Sequence, residues 1–328
     1  MESSVLDKLD KINDIRDFIN EIKPYYPDLD IKQYTIEEIE KNLYDIYINL
    51  IGRIISYSPE NMGNFLKDYL IKYEILNLKQ IILGSIIGLT KEEKKQNVNF
   101  LVQRYLENED FMKDLVKISS LDEIRLSLRD TRYYKAVREG ILYFRNNNEI
   151  FVLESFLDQL YYKNLVKKRK NLNKYEEKMI GLFTKYITEI YNINMIYRGI
   201  INNIEKKLLS QFLVNSYLFL DSKSLENLVA QTKIVDFFNY LNSILSKSDD
   251  IKNLYKNFSI DMEHPIWELE RIYQKFYFKE FELQIDNIDY STIYRIFEVI
   301  IKKEKEIKFE ILPNIVRIIH KKFQIFEK

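Results

Sequence analysis

Three glutamates recur along this chain in the same kind of neighbourhood. Glu74-Ile75-Leu76-Asn77-Leu78 returns as Glu189-Ile190-Tyr191-Asn192-Ile193, and a degenerate third copy, Glu306-Ile307-Lys308-Phe309, stands near the C-terminal end. The glutamates lie 115 and 117 residues apart (189−74 and 306−189). A carboxylate and an amide three residues apart share one face of a helix. Such a pair can bind a partner, tie down another stretch of the same chain, or act as acid or base in a pocket that perturbs its proton affinity. For acid–base chemistry, Glu189 beside Tyr191 is the first suspect. Three copies at equivalent places would line a shared pocket or rim. The same repetition also arises if the pairs only join the copies to one another, or persist by descent alone.

The elements that must carry these residues repeat as well. Upstream of each motif lies a Tyr-bearing apolar stretch: Ile39 to Tyr47, Leu153 to Tyr162 and Leu269 to Tyr277. From Tyr47, Tyr161 and Phe276 the glutamate follows after 27, 28 and 30 residues (74−47, 189−161, 306−276). An earlier marker, Ser120-Leu121-Asp122-Glu123-Ile124, recurs as Ser224-Leu225-Glu226-Asn227-Leu228, with Asn13-Asp14-Ile15-Arg16 as the matching piece in the first copy. Apolar residues at Ile36, Ile39, Leu43, Ile46, Leu50 and Ile54 step by three and four, which is helical spacing. Thr35 to Glu38, Thr90 to Glu93 and Ser120 to Glu123 have capping-box spacing, and Pro59 and Pro265 suit a first helical turn. With 7 Gly, 5 Pro and no Asn-Gly or Asp-Gly turn in 328 residues, the expectation is an all-α chain. One helix is expected over Ile36 to Tyr57, roughly 30 Å long. Three tandem helical units follow, at residues 1–108, 109–218 and 219–328, each a long antiparallel helix pair with shorter helices. A period this long does not fit the small solenoid repeats of about 33 to 47 residues, so a compact body of approximate threefold symmetry is expected.

Composition excludes several classes of function. Lys plus Arg and Asp plus Glu both number 50, so the formal net charge is zero, whereas nucleic-acid binders normally show a basic excess. The densest basic run, Lys167-Lys168-Arg169-Lys170, reads as a solvated helix end. There is no Cys, hence no disulfide framework and no thiolate zinc site. No signal-peptide pattern opens the chain. The longest apolar run, residues 81–89, is less than half of the ~20 residues a membrane span needs. No phosphate-cradling glycine loop occurs, so no direct nucleotide binding and no cofactor are expected. The two histidines, His264 and His320, supply little for metal or acid–base work. His264 reads as a helix cap before Pro265, and His320 as a surface or packing residue. Asp249-Asp250 reads as a lone acidic pair in a Ser/Lys-rich loop. Neither a catalytic nor a metal site is expected.

The repeated stretches resemble the C subunit of archaeal and bacterial A/V-type ATPases, the relative of the d subunit of V-type enzymes. Three related units carry an acid-x-x-Asn-aliphatic-basic stretch there. Here unit one reads Tyr73-Glu74-Ile75-Leu76-Asn77-Leu78-Lys79 onward to Gly84, and unit two runs from Glu189 through Asn192 to Arg198-Gly199. The family's "L..T.Y" signature is similar to Leu128-Arg129-Asp130-Thr131-Arg132-Tyr133, and its terminal "KE.E" helix to Lys303-Glu304-Lys305-Glu306. The similarity spans about residues 13–328. There are departures. Glu stands for the usual Asp in units one and two, Leu83 for a usual Arg, Asn194 for a common Lys and Phe309 for the third Asn, and the opening helix looks shortened.

The resemblance implies a funnel-shaped, pseudo-threefold helical body at the cytoplasmic face of the membrane, peripheral to it. It would bind the D and F subunits of the central stalk and rest on the membrane proteolipid (c/K) ring. Its role would be a non-catalytic rotor coupler, passing torque for ATP synthesis or hydrolysis coupled to proton or sodium transport. Glu74, Asn77, Glu189, Asn192, Arg198 and Glu306 would then be stalk-socket or inter-unit residues. The rival reading is a free-standing helical scaffold or adaptor.

Overall fold

The computed structural model describes residues 1, 3–168, 180–256, 258–262, 264–285 and 291–326. Among them every regular element is helical. The helices begin with α1 (Ser3–Leu9), α2 (Ile15–Ile22), α3 (Ile36–Tyr57), α4 (Glu60–Ile86), α5 (Lys91–Asn97) and α6 (Phe100–Tyr105). They continue with α7 (Glu109–Lys117), α8 (Leu121–Ser127), α9 (Tyr134–Asn147), α10 (Ile150–Lys168), α11 (Leu182–Ile201) and α12 (Lys206–Phe212). Then come α13 (Ser222–Ala230), α14 (Ile234–Leu245), α15 (Asp249–Leu254), α16 (Pro265–Ile285), α17 (Ser291–Lys305) and α18 (Leu312–Phe326). A π-helical turn, Glu306–Ile311, joins the last two.

Local chemistry explains the boundaries. Thr35 caps α3 by accepting from the Glu38 N–H, but the Glu38 carboxylate turns back to the N–H groups of Lys32 and Gln33. Thr90 and Glu93 form the full reciprocal box at α5. Ser120 occupies the N-cap of α8 without a side-chain cap bond, and α13 starts one turn before the Ser224 marker, capped by Asp221. Helix α3 ends at Ser58, whose extended backbone (ψ 150°) is what the residue before a proline prefers. Pro59 stands one position earlier than expected: its carbonyl accepts from the Gly63 N–H as the N-cap of α4. Asp249 and Asp250 are not in a loop. They open α15, where carboxylates meet the positive end of the helix dipole. The carbonyl of His264 accepts from the Glu268 N–H, as a cap should, and His320 is exposed. Of the basic run, Lys167 and Lys168 close α10, while Arg169 and Lys170 lie outside the described residues.

The chain divides into two compact bodies. The first comprises Met1–Glu74, Asn99–Met112 and Thr292–Lys328. In it α3 and the start of α4 run antiparallel: the hydroxyls of Tyr47 and Tyr69 meet at 2.9 Å, and the rings of Tyr44 and Tyr73 lie 6.1 Å apart. Helix α17 follows α4 in the parallel sense, from Phe65 against Phe297 (5.2 Å between ring centroids) to Tyr73 against Glu304 (3.1 Å). A Cβ on Gly52 would stand 2.1 Å from Tyr105 Cζ. The absent side chain thus lets the Tyr105 ring lie on α3, where its hydroxyl donates to Asn49 at 2.9 Å.

The second body comprises Ile75–Val98 and Lys113–Ser291. Helix α11 is its axis, antiparallel to α10, with Tyr162 stacked on Tyr191 at 4.2 Å. It is antiparallel to α16 as well, with Tyr186 stacked on Tyr277 at 5.5 Å. A helix packed on several faces must be apolar nearly all round. Phe183, Tyr186, Ile193, Met195 and Ile196 meet that demand. Thr184, Thr188, Glu189 and Asn192 are buried on the same helix and do not. Buried polar groups of this kind need partners, and those of Glu189 and Asn192 lie in the stretch 214–220.

Candidate functional site

Glu189 is fully enclosed, and its carboxylate is saturated. The N–H groups of Leu218, Phe219 and Leu220 reach it at 2.6, 2.9 and 3.1 Å, and the Tyr273 hydroxyl at 2.8 Å. The three N–H groups belong to the non-helical stretch between α12 and α13, where no i−4 carbonyl is available to them. Left buried and unpaired, each would cost about 1–3 kcal/mol. Burial pushes the Glu189 carboxyl up, and its four donors pull against that shift. Burial, and then the Glu189 charge, hold the Tyr273 phenol well above its usual range.

The same stretch is gripped along its length. Asn192 donates to the Val214 carbonyl at 2.8 Å and accepts from the Val214 N–H at 2.9 Å, as a neighbouring strand would. Tyr191 donates to the Phe212 carbonyl at 3.0 Å, and Gln159 to that of Gln211. These carbonyls lie at the C-terminal end of α12, where intrahelical donors run out. The arrangement holds an irregular segment in a fixed path. Glu189 and Asn192 at its centre are both 0% exposed.

The other copies do related work with different donors. Glu74 accepts from the Asn108 side chain. Asn108 follows Glu107 in the left-handed region (φ 60°), and its N–H bonds to the Gln103 carbonyl, a Schellman closure of α6. Asn77 is buried one turn after Glu74. Glu306 accepts from the Tyr26 hydroxyl at 2.7 Å, from Lys303 at 3.1 Å and from the Met1 ammonium at 2.5 Å. Burial works against the ionised form of Glu306, but these donors outweigh it and hold the carboxyl low. Phe309, in the third Asn place, is buried as an apolar residue. Arg198 alone of the six is substantially exposed. It pairs with Glu154 at 3.3 Å and lies over the Phe151 ring at 4.6 Å.

One acid was missed from the sequence. Glu304 accepts from Tyr69, Lys72 and Tyr73, and Lys72 also lies over the Tyr69 and Tyr73 rings at 4.3 and 4.7 Å. Burial opposes its charge, yet Lys72 above all holds the carboxyl below its usual range. The spacing held the signal: Glu304 follows Phe276 by 28 residues (304−276), as Glu189 follows Tyr161. Tyr44, three residues before Tyr47 as Tyr273 is before Phe276, is raised by burial and then by the Glu304 charge. Glu306 sits instead in the π-helical turn, whose i→i+5 bonding admits an extra residue. Among the described residues no group of three or more His, Cys, Asp or Glu is placed to hold a metal ion. None of the described helices is long and apolar enough to cross a membrane.

Among the described residues the fold is all-helical, and Glu74, Glu189 and Glu306 each accept from a residue of the same chain that lies outside the regular helices. Comparison with known proteins gives the family. The chain belongs to the ATP synthase (C/AC39) subunit family, matching it over residues 2–322. It is similar to the A-type ATP synthase C subunit of Methanocaldococcus jannaschii, 27% identical over 204 residues, covering 59% of this chain and 50% of that one. To the C subunit of Methanosphaera stadtmanae it is 24% identical over 208 residues (63% and 51%). To that of Methanococcoides burtonii it is 24% identical over 221 residues (66% and 59%). The chain thus aligns with about half the length of these relatives.

Proposed function

We propose that this chain is a non-catalytic coupler in the central rotor of an A-type ATP synthase or ATPase. It would sit at the cytoplasmic face of the membrane, between the D and F subunits of the central stalk and the proteolipid (c/K) ring, and carry torque between them. The observation that carries this reading is the family match over residues 2–322. A torque-bearing part must be stiff, and long packed helices with few glycines suit that task. The reading includes three related units in a funnel-shaped body. In its support, each copy has an early short helix (α2, α8, α13) and later sets a long helix (α3, α10, α16) before the one that leads to its glutamate.

Within that reading the repeated acids are latches, the first within its own unit and the other two between units. Glu74 takes Asn108 at the end of unit one. Glu189 takes Leu218 to Leu220 and Tyr273 across the junction of units two and three. Glu306, from unit three, takes Tyr26 of unit one. Asn77 and Asn192 are the buried amide partners of the first two acids, and Arg198 is left as the candidate for a socket contact. Replacing Glu189 with Lys would then lower pumping per ATP through a loosened segment.

The test is a pull-down of the tagged full-length chain from native membranes in mild detergent, with partners identified by mass spectrometry. Recovery of the catalytic head, D, F and the proteolipid is the expected result. Recovery of none of them, from membranes whose ATPase is intact, would leave the free-standing scaffold instead.

A further inference from the structure

Two corners of the molecule match residue for residue at an offset of 115 (189−74). Helix α4 ends with the Leu89 N–H on the Gly84 carbonyl at 2.7 Å, and α11 with the Ile204 N–H on that of Gly199 at 2.9 Å. Gly88 and Asn203 turn the corners with positive φ, 76° and 52°, as such helix ends require. Helices α5 and α12 then start and stop at matching places. Each lays a side chain against the glycine. A Cβ on Gly199 would stand 2.5 Å from Leu209 Cδ1, and one on Gly84 2.7 Å from Lys94 Cγ. Leu209 and Lys94 fill the same place, and both are buried.

A lysine where the other copy has leucine demands an explanation, because an enclosed ammonium is costly without an acid to meet it. Among the described residues Lys94 has no ion pair, and burial holds its ammonium below the usual range. It is aimed at a backbone oxygen. Lys94 Nζ donates to the Ile118 carbonyl and lies 3.2 Å from Ser85 Oγ. The Ser85 hydroxyl reaches the same carbonyl at 3.3 Å. The residue matching Ser85 in the second copy is Ile200, so both polar groups stand where that copy is apolar. The copies also differ in what comes next. Residues 213–221 lead from α12 straight to α13, whereas residues 98–120 lead from α5 to α8 and carry α6 and α7. Ile118 is the first residue after α7, where carbonyls lack intrahelical donors and a cation meets the negative end of the dipole.

We infer that Ser85 and Lys94 form a polar latch that sets where the α6–α7 segment returns, at the entrance to α8, and that the ammonium serves position rather than stability. A leucine at residue 94 would cover Gly84 as Leu209 covers Gly199. It would offer nothing to the Ile118 carbonyl, whereas a lysine has three donors and no acceptor. Exchanging a buried charge for an apolar side chain of similar volume is commonly neutral or stabilising. Position and stability are therefore separable here. The latch is independent of the coupler reading: all its residues lie in this chain's second body.

The test gives the first copy the second copy's residues in the full-length chain, as K94L and as K94L/S85I, with S85A beside them to remove the hydroxyl alone. Urea unfolding and amide hydrogen exchange are measured on each. The leucine variants should unfold at or above the wild-type midpoint. Their amides over residues 115–121 should nevertheless exchange about tenfold faster. Those of Leu218 to Leu220, held by Glu189, should stay at the wild-type rate. S85A should show the same local change more weakly, about two- to threefold. Wild-type exchange over residues 115–121 in both K94L and S85A would overturn the latch and leave α7 held by its buried Leu115 and Val116. Leucine variants that fail to fold would overturn it as well. So would variants that unfold well below wild type with exchange raised across the whole second body, since the ammonium would then carry stability.

Discussion

In the second body, Glu189 is surrounded by donors that carry no charge: three peptide N–H groups and one phenol. In the first body, Glu304 and Glu306 face Lys72, Lys303 and the Met1 ammonium as well as tyrosines. Burial dominates the first arrangement and raises the Glu189 carboxyl; the cations outweigh burial in the second and lower both carboxyls. The same residue type, following the same Tyr-bearing helix, therefore ends in opposite electrostatic states. What the copies share is the demand for an acceptor at that place. How the acceptor's charge is balanced is set by whichever segment it must hold.

The sharpest way to break this comparison is to remove the acceptor in the second body. Glu189→Ala would leave three consecutive N–H groups and the Tyr273 hydroxyl buried without partners. It is expected to cost about 3–5 kcal/mol, near the upper end for single substitutions. Glu189→Gln keeps one acceptor oxygen but turns an NH₂ towards N–H groups, and should cost roughly 2 kcal/mol. Urea unfolding of the full chain measures both. A loss below about 1 kcal/mol in the alanine variant would mean that water satisfies the segment and that the carboxylate is not what holds it.

A second test uses the sign of the proton linkage. The folded-state affinity of Glu189 for its proton is raised. Its favourable contribution is therefore present in acid and is lost as pH rises from about 4.5, the ordinary carboxylate value, through the raised one. Glu306 is lowered, so its contribution is present above about 4.5 and is lost as pH falls through its depressed value. The destabilisation caused by Glu306→Gln should therefore grow from pH 3 to pH 6. The pH-dependent part of the Glu189→Gln difference should move the opposite way, in favour of the variant as pH rises. Parallel slopes for the two variants would refute the contrast between the bodies.

Much of this was readable from residue spacing, for physical reasons. The three- and four-residue steps over residues 36–54 give a helix from Ile36 to Tyr57 because one face must be buried, and Ile39, Leu43, Tyr47 and Ile51 are the ones enclosed. The Thr90–Glu93 box was legible because both halves are local. What the glutamates hold was not legible. The stretch before α13 has no period, and its path is set by side chains more than twenty residues away. Glu304 was passed over because Glu306-Ile307 copies the motif, whereas the π-helical turn shifts the register and leaves the matching 28-residue spacing to Glu304.

The smallest expected effect falls on Arg198, and it separates the two roles the six candidates were given. Its ion pair with Glu154 is long, at 3.3 Å, and both side chains are partly exposed. Screening by solvent reduces such a pair to well under 1 kcal/mol, and the guanidinium over Phe151 adds about 0.5–1 kcal/mol. Arg198→Ala should therefore cost no more than about 1 kcal/mol in urea unfolding, and a double-mutant cycle with Glu154→Ala should return a coupling of a few tenths. If Arg198 serves only to join α10 to α11, recovery of the complex should follow that small loss and stay near wild type. If it meets a stalk protein, recovery should fall several-fold while stability hardly changes. An arginine on a surface can lose a partner without loosening the fold, which Glu189, enclosed on every side, cannot do.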